Sequence, residues 1–387
     1  MIEDGFTYVA LLVMIGSAIV YTEKKSRHKL FTYLPSIVIL YFVVMLFSTF
    51  EVWHKSESVT LTYTFLKSYL LPAMIFLMLL SADMREIFKL GNKMLFTFFL
   101  ASVSIAIGFI GTFALFHTYF EPDAWKAFAA LSGSWMGGTG NMVAIQGALD
   151  LPDSAMGYTL LIDSIDYAIW VMILLALVPF AKTFNLWSKA DTSVIDEVGE
   201  KLAHNNAHKK PVTFFALFIL LSSALFVSVG AQIGASFLPT TSFLTATTWV
   251  VIIATLSGIL FAITPLAKLS GGSEMANMML YLIVALIASR ANFSELTEAP
   301  LYIIAGFVII VIHGSIMILF AKLFKLDLFS LGVASLANIG GVASAPILAS
   351  AYSKALIPIG VLMAMMGYII GTFGGLMVGK ILKIIAG

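Results

Sequence analysis

Cysteine is absent from the 387 residues, which excludes disulfides and thiolate metal sites. Charge is scarce as well. Asp, Glu, Lys and Arg make up 11% of the chain, where a soluble domain carries about a quarter. The formal net charge of +1 gives no bulk attraction to nucleic acid. No Walker loop, no HExxH pair and no nucleophile–base pair in a water-facing domain can be found. The longest polar stretch is too small to form an ATP-hydrolysing domain. These absences argue against an enzyme, and they leave an ion gradient as the energy source if the chain does work. No cofactor is expected beyond such a coupling ion. The short alternating segments of a β-barrel are missing too.

What remains is apolar. Hydrophobic residues are 60% of the chain and the mean hydropathy is +0.99. Runs of about 20 apolar residues recur throughout, the pattern of a multi-pass helical membrane protein. The start, "MIEDGF", is acidic, and the first run ends in a basic loop rather than a small-residue cleavage site, so it reads as a retained span and not a signal peptide. Six segments fall in residues 6–180: 6–21, 30–50, 61–80, 94–119, 124–149 and 154–180. Six more follow: 212–230, 243–266, 274–289, 301–324, 329–350 and 355–378. Residues 181–211 form a polar linker between the halves.

The fifth segment of each half contains a glycine break, "SWMGGTGNMV" from Ser134 and "SLANIGGVAS" from Ser335. The pairs Gly137-Gly138 and Gly340-Gly341 are 203 residues apart. Paired breaks at matching positions suggest an internal repeat of the kind found in secondary transporters. Positive charge gives the relative orientation. If all twelve segments cross, the 22 Lys and Arg divide 9 to 13. If each broken segment enters and leaves on one side, the second half is inverted and 16 fall on one side against 6 on the other. Positive charge favours the cytoplasmic face, so the inverted arrangement is expected. Lys380 and Lys383 run against this count. The predicted fold is therefore an all-α membrane protein with two inverted-topology repeats, residues 1–180 and 212–387. It would have about ten spans and two glycine-broken elements, re-entrant or crossing.

Non-helical backbone at membrane depth is tolerated where protein or a water-filled cavity surrounds it. Ser134, Thr139 and Asn141 in one break, and Ser335, Asn338 and Ser344 in the other, are candidate hydrogen-bonding groups beside Gly137, Gly138, Gly340 and Gly341. The short helix after each break would aim its N-terminal N–H groups and positive dipole end at the centre, which suits a carboxylate. Facing carbonyls would suit Na⁺. The alternative is that the glycines only permit close helix packing.

Asp163 and Asp166 in "LLIDSIDYAIW" are the second signal. Asp163 lies about 13 Å into its span. A charged Asp there costs roughly 3 kcal/mol or more, so it should be paired, protonated or bound to a cation. Three residues apart, the two acids are expected to share a helix face, and Na⁺ is a candidate ligand of both. A pair lodged against Asn or Ser at a bundle interface is the alternative. The second half has Met366 and Ile369 at the equivalent positions, so an acidic site would be one-sided. Weaker candidates are Gln146, which could line the same cavity, Trp135, which could close over a ligand or merely pack, and His313 as a relay or a packed histidine. Glu274 is expected at the interface, Lys67 snorkelling outward, and Trp53 and Trp125 in the headgroup belt.

With these motifs in place, the chain resembles the cation/proton antiporter and anion transporter superfamily. "MGGTGN" and "NIGGVAS" are similar to the paired glycine-rich re-entrant loops of citrate and glutamate/sodium symporters. Over its whole length, "GSWMGGTGNMVAIQGAL" and "SLANIGGVASAPILASAY" look most like the bacterial YjcL-like integral membrane family. The resemblance implies an elevator-type secondary transporter, a homodimer in the bacterial cytoplasmic membrane. The early spans of each half would form a scaffold, and the late spans with the broken elements a mobile core. Gly137, Gly138, Thr139, Asn141, Asn338, Gly340 and Gly341 would line the site for a small-molecule solute and its coupling ion. Asp163 and Asp166 match the ion-binding acids of antiporter relatives.

Overall fold

A computed structural model describes residues 1–26, 35–82, 87–191, 211–293 and 299–387. Among the described residues the regular structure is helical, with one isolated bridge between Ile2 and Trp53. The first half contains α1 (Gly5–Ser26), α2 (Ser36–Thr49), α3 (Glu57–Leu80), α4 (Gly91–Phe116), α5 (Ala124–Gly137), α6 (Thr139–Ala148) and α7 (Met156–Leu177). A short helix, α8 (Ala181–Ser188), follows. The second half contains α9 (Phe214–Ser236), α10 (Ala246–Phe261), α11 (Gly272–Ala288), α12 (Ala299–Phe324), α13 (Leu328–Ile339), α14 (Gly341–Tyr352) and α15 (Ile357–Ala386).

Seven helical stretches among the described residues are long and apolar enough to cross a membrane. Helices α2 and α10 are shorter than the spans expected over 30–50 and 243–266, whereas α11 keeps to its expected segment 274–289 within two residues at either end. Thr245 opens α10 with a capping box, and Pro265 follows soon after its end in a short 3₁₀ turn. Gly271, at φ +108°, starts α11 abruptly. The linker expected over 181–211 begins as helix α8. Its Asn185 accepts a hydrogen bond from the Leu328 amide at 2.9 Å, so this part is joined to the base of α13. Residues 192–210 lie outside the described residues. So do Arg27, Lys29, Arg85, Lys201, Lys209 and Lys210 of the charge count.

Both glycine-broken segments are helical hairpins. A Cβ added at Gly133 in α5 would collide with Ile145 in α6. In one continuous helix those residues would be about 18 Å apart. A Cβ at Gly332 in α13 would lie 3.1 Å from Leu348 Cδ2 in α14, against about 24 Å in a continuous helix. Helix α4 fixes their relative placement. Near its start Lys93 pairs with Asp327 at 3.0 Å, at the base of the second hairpin. Near its end Phe113 and Phe109 contact Phe128 and Trp135 of the first hairpin's entering arm. The two hairpins thus enter the bundle from opposite ends of α4.

The helices pack in two groups. Helix α3 lies against α1, α9, α10 and α11, and α2 against α1 and α11. In the other group α4 lies against α12, α13 and α15, and α15 also holds α5, α6 and α14. The groups meet mainly where α6 lies against α3 and α10. The seam between α15 and α5 is a ladder of small residues. Gly371, Gly375 and Gly379 face Gly137, Gly133 and Ala129, with would-be Cβ distances of 2.8–2.9 Å to their main-chain or Cβ carbons. Such residues let two membrane helices approach closely and gain dispersion contact.

Candidate functional site

The two adjacent glycines of each break do different work. Gly341 has φ +58°, a left-handed value that costs an L-residue about 1–2 kcal/mol, and Gly138 has φ +87° and ψ 170°, a region essentially confined to glycine that costs about 1–3 kcal/mol. These are the hinges. Gly137 is a packing glycine, because a Cβ there would strike the Gly367 carbonyl oxygen and Asn141. A Cβ at Gly340 would strike Ser344 and Tyr167. Hinging and close packing, alternatives on sequence grounds, both occur, one at each glycine of the pair.

The hairpin tips meet. A Cβ at Gly341 would lie 4.0 Å from Gly138 Cα. Helices α6 and α14 start at these tips without a side-chain cap, so their first N–H groups have no partner within the helix. A cavity of about 290 Å³ opens beside the tips. Ser134, Gly138, Thr139, Asp163, Gly340 and Gly341 line it, and Gly137 does not. Val342 and Ala343, in the first turn of α14, also border it. Its opposite wall comes from Met74 and Met78 on α3 and from Asn277 and Tyr281 on α11.

Asp163 is held in place from the first hairpin. Ser134 Oγ and Trp135 Nε1 each donate to its Oδ1 at 3.1 Å. Trp135 is fully buried and edge-on to Phe109, so it packs and orients the acid instead of closing over a ligand. The expectation that Asp163 and Asp166 share one environment is corrected. Asp163 borders the cavity, whereas Asp166 is 1% exposed and faces Gly306 of α12. Neither oxygen of Asp166 has a hydrogen-bond partner among the described residues. Three residues turn a helix by about 300°, enough to give the two acids different neighbours.

Asn141, Asn338 and Ser344 are buried and do not line the cavity. The two asparagines staple the hairpins instead. Asn141 Nδ2 donates to the Gly137 carbonyl at 2.7 Å and its Oδ1 accepts from Thr372 of α15 at 2.6 Å. Asn338 Oδ1 accepts from Ser102 of α4 at 2.7 Å and its Nδ2 donates to the Ala334 carbonyl at 2.9 Å. Ser335 also turns away. It shares a hydrogen bond with His313 Nε2 at 2.7 Å and accepts from Trp170 at 2.8 Å, while His313 Nδ1 meets Ser104 at 2.7 Å. His313 is thus bonded at both nitrogens and fully buried.

Gln146 lies away from the cavity, donating to Asp153 Oδ1 at 2.8 Å. Lys67 does not snorkel outward but pairs with the same oxygen at 2.8 Å. Trp53 is not in a lipid-facing belt. It is 4% exposed and donates to the Ser289 carbonyl at 3.0 Å. Trp125 is buried as well, beside Phe243, and Lys126 and Lys383 approach its ring. Glu274 is exposed in the first turn of α11, where an acid suits the helix dipole. Sequence reasoning missed Tyr167, Tyr368, Tyr281, Asn277 and Glu23, which also border the cavity. A polar tip on an otherwise apolar span was the available signal for the first four.

Comparison with known proteins agrees with a membrane protein. The chain is 25% identical over 325 residues to the uncharacterized membrane protein YjcL of Bacillus subtilis (strain 168), covering 81% of this chain and 82% of that protein. This supports the YjcL-like resemblance and a multi-pass membrane protein; neither match names an antiporter or symporter superfamily. The family model described as "Protein of unknown function (DUF819)" matches residues 10–385, and the chain belongs to that family.

Proposed function

We propose that this protein is a secondary active transporter, a Na⁺- or H⁺-coupled symporter of a small organic anion or amino-acid-like solute. The observation that carries the reading is the meeting of two hairpin tips, entering from opposite ends, around a cavity bordered by Asp163. Two uncapped helix N-termini at one point favour an anionic group, each by about 0.3–1 kcal/mol at exposed sites and up to about 2 kcal/mol when partly buried. An acid bordering the same cavity favours a cation beside it. A scaffold protein has no use for such a cavity, and nothing in this reading requires bond-breaking chemistry.

The two halves act in this reading as inverted repeats, with ten crossings and two re-entrant hairpins. The group around α3 is the scaffold, and the group around α15 is the elevator that carries the tips. The homodimer and the bacterial cytoplasmic membrane belong to the same proposal. A monovalent cation/proton antiporter is the second reading, favoured by Asp163 together with the buried, unpartnered Asp166.

Purified protein in proteoliposomes tests the proposal. Symport predicts no pH or Na⁺ movement on an imposed Na⁺ gradient until a solute from a panel of organic acids and amino acids is added. Antiport predicts a pH change with Na⁺ alone. Asp163→Asn is expected to reduce either ion-coupled flux at least tenfold. Full coupling in that variant removes the residue from the mechanism, and no flux with any panel member or with Na⁺ removes the transporter reading.

A further inference from the structure

A second cavity, also about 290 Å³, lies at the other end of the first hairpin. Lys67, Leu71, Gln146 and Asp150 are among its lining residues. It abuts the same pair of helices as the first cavity. Met74 and Met78 of α3 border the first cavity, and Leu71 and Pro72 border the second. Helix α6 runs alongside in the opposite direction. A Cβ at Gly140 would collide with Met78, and one at Gly147 would collide with Leu71. Both pairs are spaced by seven residues, about 10.5 Å of helix. Two bulky side chains on one helix therefore sit on two glycines of the other, and this plug separates the cavities.

The second cavity is bolted to the scaffold side. Asp153, just beyond α6, accepts from Lys67 and from Gln146 at 2.8 Å each, and also from the Tyr63 hydroxyl. Its carbonyl accepts from Tyr41 at 3.0 Å. Tyr41, Tyr63 and Lys67 belong to the α3 group, whereas Asp153 moves with the hairpin. An ion pair that joins two bodies and is half out of water is a contact that has to break if the bodies shift.

We infer that the second cavity is the vestibule on the opposite membrane face of the same pathway, shut by the Leu71–Gly147 and Met78–Gly140 contacts and latched by Lys67 and Asp153. The inference rests on the transporter reading. It predicts which residues each side of the membrane can reach, a question that needs no knowledge of the solute.

The chain has no cysteine, so single cysteines can be probed without background. Asn277→Cys in the first cavity and Thr247→Cys in the second are treated with a membrane-impermeant maleimide in right-side-out and inside-out vesicles. The two positions are expected to label from opposite faces. Met74→Cys is expected to label from the Asn277 face alone. With Lys67→Ala and Asp153→Asn added, its labelling from the other face is expected to rise at least tenfold. The swapped pair, Lys67→Asp with Asp153→Lys, is expected to restore one-sidedness and so to separate latching from misfolding. Labelling of Asn277→Cys and Thr247→Cys from one face overturns the inference, as does Met74→Cys labelling that ignores the latch. Opposite-face labelling with no solute or ion flux keeps the two vestibules and removes the transporter reading. Flux with one-face labelling does the reverse.

Discussion

At the scale of single residues, Asp163 and Asp166 show how far three positions on a helix can separate two identical side chains. Asp163 has two fixed donors and a cavity. Among the described residues, Asp166 has neither oxygen partnered and a glycine for a neighbour. An ionised carboxylate without a partner at that depth costs roughly 3 kcal/mol or more, which a neutral amide of the same shape avoids. Asp166→Asn is therefore expected to leave the thermal unfolding midpoint unchanged or raised. Gly306→Ala should lower it, since the added methyl collides with Asp166 and Ile162. A fall in midpoint for Asp166→Asn would show that the acid holds a stabilising cation. The existence of both acids inside an apolar span was plain in the sequence. Their neighbours were not, because the partners lie on α5 and α12, and only packing decides which of them each side chain meets. The same limit hid the Lys67–Asp153 pair, whose members are 86 residues apart.

At the scale of elements, the glycine breaks were the most legible feature, since a hinge with positive φ calls for glycine and the spacing of 203 repeats it. The asparagines beside them, expected at the site, do not border the cavity. Their amides find nearer partners, each bonding a carbonyl four residues back and a hydroxyl on an adjoining helix. The division of labour within "GG" yields an ordered prediction. Gly138→Ala has room, its nearest neighbour being Tyr368 at 3.7 Å, and costs the backbone strain of a glycine-only conformation, about 1–3 kcal/mol. Gly137→Ala strikes backbone that cannot rotate away, so overpacking of about 1–3 kcal/mol or more applies. Thermal denaturation in detergent should rank wild type above Gly138→Ala and Gly138→Ala above Gly137→Ala. The reverse order would mean that hinge strain, not the α5–α15 seam, limits stability.

At the scale of the whole molecule, composition suffices for a multi-pass helical membrane protein, and the charge count alone suggests opposed hairpins. What composition could not supply was helix length, as α2 and α10 are shorter than their apolar segments, or that residues 181–188 form a helix docked at the base of α13. The ten crossings proposed above would place both chain ends on one side and residues 181–211 on the other. Reporter fusions at residue 1, at residue 387 and within 192–210 are expected to give matching signals for the two ends and the opposite signal for the centre. Disagreement between the two ends would mean an odd number of crossings.

One contact ties these scales together. The would-be Cβ of Gly367, midway along α15, lies 3.1 Å from Gly137 Cα, 3.1 Å from the Met136 carbonyl oxygen and 3.3 Å from that of Ala337. Both hairpins therefore bear on a single point of one rod. In the transporter proposed above, α15 would then act as a shared axle: a shift of the tip that faces one compartment would press on the residue that also bears the other tip, and the two compartments would be geared together by a residue that touches neither.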